Sequence, residues 1–266
     1  MQRRCAEVFE ASGFDVSLHR FGGRAPGVNV IGVRGGLSQP QSRVIVGAHY
    51  DHIPGCQGAD DNATGVAAVL EVARVLGPAP TARTVVVACW DQEEVGLVGS
   101  RAWVAGPMRA APTPRVYFNF DGIGFVDHRP GSQAIPTGFG VLFPAAVERL
   151  EEHELRADFI AVVSDTRGEP FARDIERHAA KLELPVAVLT VPDLVRQSHL
   201  VVDLQRSDHA PFWDAGVPAV MLADTANFRS PSYHCLEAAD TVDTLDLGFV
   251  TQVVTASVFA VAAAAR

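Results

Sequence analysis

Lysine is almost absent: Lys181 is the only one among 22 basic residues, which face 31 acidic residues for a formal net charge of -9. No basic run is available to track a phosphate backbone, so nucleic-acid binding is excluded as an expectation. Cysteine is also scarce. Cys5, Cys56, Cys89 and Cys235 are too few for a disulfide scaffold and lack zinc-knuckle spacing. Cys89 lies in an apolar run and is expected as a small core residue. Cys56 and Cys235 are expected as reduced thiols; because both flank polar clusters, a bond between them is the competing expectation.

The N-terminus reaches Glu7 before any apolar h-region, which is not a signal-peptide pattern. A cytoplasmic location is therefore expected, although a processed secreted chain would look the same. The apolar stretch Val253–Ala265 is too short to cross a bilayer as a straight helix. It is expected to pack on the core, with no membrane partner. Neither repeats nor linkers interrupt the 266 residues, and a single domain over 1–266 is expected.

What is present is a regular alternation of strand-like and helix-like segments. A helix over 1–12 precedes strands at 14–20 and 28–34, joined by a glycine-rich turn and antiparallel. Short apolar strands follow at 43–48, 84–89 and 116–120, with a helix over 63–76 stopped by Gly77-Pro78. Further helices are expected at 144–154, 169–182 and 245–264, and strands at 159–163, 186–189 and 219–222. This alternation predicts an α/β fold: one three-layer α/β/α domain around a mostly parallel mixed sheet. Ligands in such folds sit outside the carboxyl ends of the strands.

Polar clusters occupy those ends. His49-Tyr-Asp51 follows the strand at 43–48, and Asp60-Asp61-Asn62 precedes the helix at 63–76. Glu93-Glu94 follows the strand at 84–89, and Asn119-Phe-Asp121 closes the strand at 116–120. Adjacent residues on a regular strand point to opposite faces, so Glu93 and Glu94 serve one site only where the backbone turns. Ser207-Asp208-His209 and Tyr233-His234 lie downstream. Carboxylates converging in this way repel unless cations are present. Histidines with carboxylates suit two borderline divalent ions, zinc first among them.

Taken together, His49-Tyr-Asp51, Gly58-Ala-Asp-Asp61-Asn-Ala-Thr-Gly65, Glu93-Glu94-Val-Gly-Leu-Val-Gly-Ser100, Asn119-Phe-Asp121, Ser207-Asp-His209 and Tyr233-His234 resemble the M28 family of metallopeptidases, zinc aminopeptidases with an α/β catalytic domain. The resemblance covers about residues 43–245. It implies two zinc ions per chain, one on His49 and Asp121 and one on Glu94 and His234, with Asp61 bridging both. It also implies a cis peptide between Asp61 and Asn62, Asp51 as the partner that orients His49, and Asp208 as a supporting or cleft-wall acid. Glu93 is implied as general base and Tyr233 as a donor to the oxyanion.

The activity so implied is release of the N-terminal residue from small peptide or aminoacyl substrates, through a water activated by two zincs. The rival within the same fold is a glutaminyl cyclase with one zinc, or another exopeptidase or amidohydrolase of the superfamily. Loops near 127–142, 164–168 and 191–207 are expected as cleft walls. Phe139, Trp213 and Phe228 are candidates for an apolar pocket, with core packing as the competing expectation.

Overall fold

The computed structural model describes residues 1–22, 26–196 and 198–266. Helix α1 (Gln2–Ala11) precedes an antiparallel pair, β1 (Asp15–Phe21) and β2 (Gly27–Arg34). The glycine-rich turn expected between them falls largely on residues 23–25, outside the described residues. Next come β3 (Gln39–His49), α2 (Gly65–Leu76), β4 (Arg83–Trp90), α3 (Val98–Trp103) and β5 (Val116–Phe120). The second half adds α4 (Phe139–Leu142), α5 (Pro144–Glu152), β6 (Ile160–Asp165), α6 (Glu169–Ala180) and β7 (Val186–Val191), then α7 (His209–Asp214), β8 (Ala219–Ala223) and α8 (Leu247–Ala265).

The strands form one mixed sheet in the order β1-β2-β4-β3-β5-β8-β6-β7. Its centre, β4, β3, β5 and β8, is parallel, so these four strands present their carboxyl ends along one edge. β6 runs antiparallel to β8, with β7 parallel to β6. This reversal puts the start of β6 at the site edge and its end at the opposite edge. The loop at 164–168, expected as a cleft wall, is therefore carried away from the cleft by the direction of β6.

Alternation along the strands builds two apolar layers. Val44, Val46, Val85 and Val87 face α1, α2, α6 and α8. Ile45, Val86, Ala88 and Trp90 face the layer that holds Trp103 and Phe212, from α3 and α7. Trp213 belongs to this packing too, its indole N–H donating to Ala219 O at 3.0 Å, and it does not line the cleft. Helices α3, α4 and α7 have only four to six residues each, too few for a 3.6-residue period to show in sequence.

Helix α8 has 19 residues and a mean hydropathy of 1.8, enough by length and composition to cross a bilayer. The helix expected over 245–264 is borne out, and Val253–Ala265 is only its later part, so the expectation that the segment is too short to span was drawn from an incomplete stretch. What places α8 is its packing, because Val253, Ala256, Ala260, Val261 and Ala264 are buried in the α2/α6 layer.

The cysteines correct two expectations. Cys5 is bonded to Cys89, so Cys89 is a core residue but no free thiol. Cys56 is bonded to Cys235 with Cα atoms 5.6 Å apart, within the span a disulfide can bridge. Sequence spacing could not show this, because α1 lies on β4 and the loop after β8 returns to the loop after β3.

Candidate active site

His49 ends β3 and is buried, with 1% of its surface exposed. Its Nδ1 faces Asp51, whose carbonyl oxygen lies at 3.1 Å and Oδ1 at 3.6 Å. That contact turns Nε2 toward Asp61 Oδ1 and Asp121 Oδ1, each at 3.3 Å. Asp121 directly follows β5. On the other side, His234 Nε2 lies 3.4 Å from Asp61 Oδ2 and 3.3 Å from Glu94 Oε2. The two oxygens of Asp61 thus each meet a different imidazole.

The Asp61 loop is held by backbone contacts from three directions. The Asp240 carboxylate accepts N–H groups from Asp60 at 2.8 Å and Asp61 at 3.1 Å. Asn62 donates to Phe120 O and accepts from Gly65 N and Gly122 N, joining this loop to the end of β5. Gly65 has no substitute here: a Cβ would collide with Asn62 Oδ1 and with the Phe120 carbonyl oxygen. The Asp61–Asn62 peptide is cis.

Glu93 and Glu94 share one site because the chain leaves β4 through Gln92 in the left-handed region, at φ 60°. One carboxylate braces both glutamates. Asp51 Oδ1 accepts the Glu93 N–H at 3.0 Å and Oδ2 the Glu94 N–H at 3.2 Å. Asp51 therefore orients both His49 and the glutamate pair. Replacing it with Asn leaves one acceptor oxygen for two N–H donors. Asp51→Asn is expected to weaken zinc binding about 10–100-fold, the usual cost of losing a partner that orients a ligand. Titration against a chromophoric chelator measures this; unchanged affinity would remove Asp51 from the orienting role.

Electrostatics divide these carboxyls. Burial pushes Glu93 well above the usual carboxylate range; His49 pulls it back, and Asp121, Asp208 and Glu94 push it further up. Glu94 is raised to about 7, by burial first and then by Asp61. Burial also acts to raise Asp61, but His234 and His49 outweigh it and hold Asp61 below its ordinary value. In turn, burial lowers His49, yet Asp121, Asp51 and Asp61 together raise it well above 6.5. The cluster as a whole demands positive charge.

That demand fits divalent cations. One atom each from His49, Asp61 and Glu94 lie within 4.8 Å of one another, and so do atoms from His49, Glu93 and Asp121. Among the described residues Glu94 Oε1 is buried without a hydrogen-bond partner, a cost that a ligated ion removes. Imidazole and carboxylate donors suit zinc.

Asp208 is fully buried and does not wall the cleft; Ser207 is the residue there that lines it. Burial raises Asp208 to about 7, with His49 and the Ser100 hydroxyl pulling it down. His209 is turned away, Nε2 on Leu204 O at 2.8 Å, and burial lowers it to about 4. Beneath the site, Trp90 donates to Tyr117, Tyr117 to Asn119, and Asn119 to Ser207. This buried chain ties the Ser207 loop to β4 and β5.

Tyr233 stacks on His234 with centroids 3.8 Å apart. Arg206 donates to its hydroxyl at 2.8 Å. Burial raises the phenol, against the pull of Arg206, so it stays protonated. Arg206 was not foreseen from the sequence, and Asp240 had no role there. Neither carries a local signal, because each acts on a segment distant in the chain. A cavity of about 380 Å³ opens beside the carboxylates, with Phe139 and Phe228 in its walls, joined by parts of the loops at 133–139 and 203–207.

The family model described as "Peptidase family M28" matches residues 29–261. The uncharacterized Escherichia coli (strain K12) protein YfbL is 31% identical over 265 residues, covering 93% of this chain and 75% of that protein. Other curated relatives are much longer, and the chain spans 41% of one and 16% of another. Among solved structures, a zinc aminopeptidase from Bacillus subtilis superposes with a TM-score of 0.62 at 23% identity, over 89% of this chain and 49% of that one. A Porphyromonas gingivalis glutaminyl cyclase superposes at 0.67 and 16% identity, over 97% and 87%. At these identities the two structures show a shared fold and nothing finer.

Proposed function

The chain belongs to peptidase family M28, and from that premise we propose that it is a two-zinc aminopeptidase that removes the first residue from small peptides. One observation carries the reading: Asp61 offers one oxygen beside each of two imidazoles, with Asp121 and Glu94 alongside and a fourth acid, Glu93, buried next to them and left over as a base. His49 and Asp121 would hold one ion, Glu94 and His234 the other, and Asp61 both. Such ions supply Lewis acidity and make a water acidic enough to ionise near neutrality.

The chain's own groups do the rest. Glu93, buried beside them, takes the proton of the attacking water and passes it to the leaving amine. Tyr233, whose hydroxyl oxygen already accepts from Arg206, retains its proton to donate to the developing oxyanion. The acidic lining meets the free amine of the substrate. The two disulfides support an oxidising compartment in place of the cytoplasmic one expected from the N-terminus.

Metal analysis beside peptide hydrolysis tests the proposal. Two zincs per chain are expected, with release of the first residue from free-amine peptides and none from acetylated ones. One zinc, with cyclisation of N-terminal glutamine and release of ammonia, would assign the cyclase reaction instead. Cleavage confined to blocked peptides would also overturn the aminopeptidase reading.

A further inference from the structure

Most of the metal-facing residues take their places from the sheet or from turns braced against it. His49 ends β3, Asp121 follows β5, and the Asp51 carboxylate holds the backbone of Glu94. Asp61 precedes α2, in the loop that Asn62 anchors to β5. His234 is the exception, since it lies in the stretch between β8 and α8. Both it and Cys235 are in the left-handed region, at φ 54° and 56°. Residues other than glycine pay for that conformation and keep it only where their surroundings impose it.

Little inside the turn imposes it. Its backbone hydrogen bonds are local: Cys235 N–H donates to Ser232 O, Leu236 N–H to Tyr233 O, and Glu237 N–H to Pro231 O. Residues 236–239 are exposed, and the Arg206 contact with Tyr233 leads to the segment before Ser207. The turn meets the Asp61 loop at the Cys56–Cys235 bond and at Asp240, whose carboxylate accepts the Asp60 and Asp61 N–H groups. These links are joined, because the Asp240 N–H donates to Cys235 Sγ at 3.3 Å. Breaking the sulfur bond frees that acceptor to turn away, so both links loosen together.

The bond is also placed for exchange. Cys235 is half-buried beside the exposed stretch 236–239, whereas Cys5 and Cys89 are fully buried. Access is one of the conditions that decide which disulfides exchange with outside thiols.

We propose that the Cys56–Cys235 pair is a redox switch for one metal position. With both thiols reduced, the chain keeps the ion on His49, Asp61 and Asp121 and loses the one on Glu94 and His234; oxidation completes the second site. The inference rests on the two-zinc reading. The oxidant is a disulfide of the thiol-exchange class. One cysteine thiolate attacks an oxidant sulfur, and the other then attacks the mixed disulfide and displaces that sulfur. The Cys56–Cys235 bond forms, and the oxidant gains two electrons and the two protons that the cysteines give up. The reduced chain is therefore idle as a peptidase in a thiol-rich compartment and becomes active in an oxidising one.

The test compares the oxidised protein with Cys56→Ser/Cys235→Ser and with Cys5→Ala/Cys89→Ala, which removes the other disulfide. Zinc per chain and its affinity are read with a chromophoric chelator, independently of hydrolysis, and far-UV circular dichroism reports folding. The oxidised protein and the Cys5→Ala/Cys89→Ala variant should each hold two zincs. The serine variant should hold one, with the second weakened at least about 10-fold, as when a ligand loses the group that orients it. Where the serine variant does not fold, the oxidised protein treated with a phosphine reductant decides. Alkylation of Cys56 and Cys235 should then accompany release of one zinc, and in a sample not alkylated glutathione disulfide should restore the second site.

Two zincs held with unchanged affinity without the Cys56–Cys235 bond would sink the proposal. Equal loss from the Cys5→Ala/Cys89→Ala variant would sink it too, because the effect would then be one of general stability. Fewer than two zincs in the oxidised protein would instead overturn the two-zinc reading on which it stands.

Discussion

Glu93→Gln is expected to lower kcat by roughly 10²–10⁴-fold, the usual contribution of a positioned general base, while the zinc content stays at its original level. The substitution keeps side-chain volume and leaves the backbone N–H on Asp51 intact. What it removes is the ability to hold a proton. The surroundings of Glu93 suit a base, since it is buried, burial and neighbouring acids push its carboxyl up, and His49 limits the rise. Glu93 also lies within 4.8 Å of ligand atoms on His49 and Asp121, so metal must be measured beside turnover. Loss of zinc in proportion to activity would make Glu93 a ligand.

Asp61→Asn is expected to strip both ions and reduce hydrolysis to background. The carboxylate faces His49 with one oxygen and His234 with the other. An amide keeps a single acceptor oxygen and turns an NH₂ toward the second position, where it cannot serve as a ligand. The fold should survive, because Asp240 binds the Asp60 and Asp61 backbone N–H groups and Asn62 anchors the loop to β5. Elemental analysis with far-UV circular dichroism separates the effects. Two tightly held zincs in the folded variant would contradict the bridging role.

The central strands were legible because each is a short apolar run ending in a polar cluster. β5 has the same bounds, Val116–Phe120, in sequence and structure. Most of the converging residues were visible for the same reason: His49 ends β3, Glu94 and Asp121 follow β4 and β5, and Asp61 precedes α2, whereas His234 lies in a loop well beyond β8 and stood out through the resemblance. Their supports were not. Asp51 reaches the glutamate pair only because Gln92 turns left-handed, and Asp240 reaches the Asp61 loop across 179 residues of chain. The part of the cavity wall formed by Ala161 and Ala223 depends on β8 inserting between β5 and β6 and on β6 running backward. Strand-helix alternation gives neither the spatial order nor the direction of these strands, and register across them is a long-range property. The Cys5–Cys89 bond was hidden likewise, by partners distant in sequence, while Cys56–Cys235 stood only as a competing expectation.

The bond between Cys56 and Cys235 spans a sequence separation of 179. In chain-entropy terms, closing a loop of that length removes roughly 5 kcal/mol of freedom from the unfolded chain. Cys235 adjoins His234, and Cys56 lies shortly before Asp61. The covalent link therefore gives the imidazole of His234 a high effective concentration at the Asp61 carboxylate. Tethering raises the local concentration of a group without adding a contact, so the last donor in the chain is held near its place even when packing around it loosens.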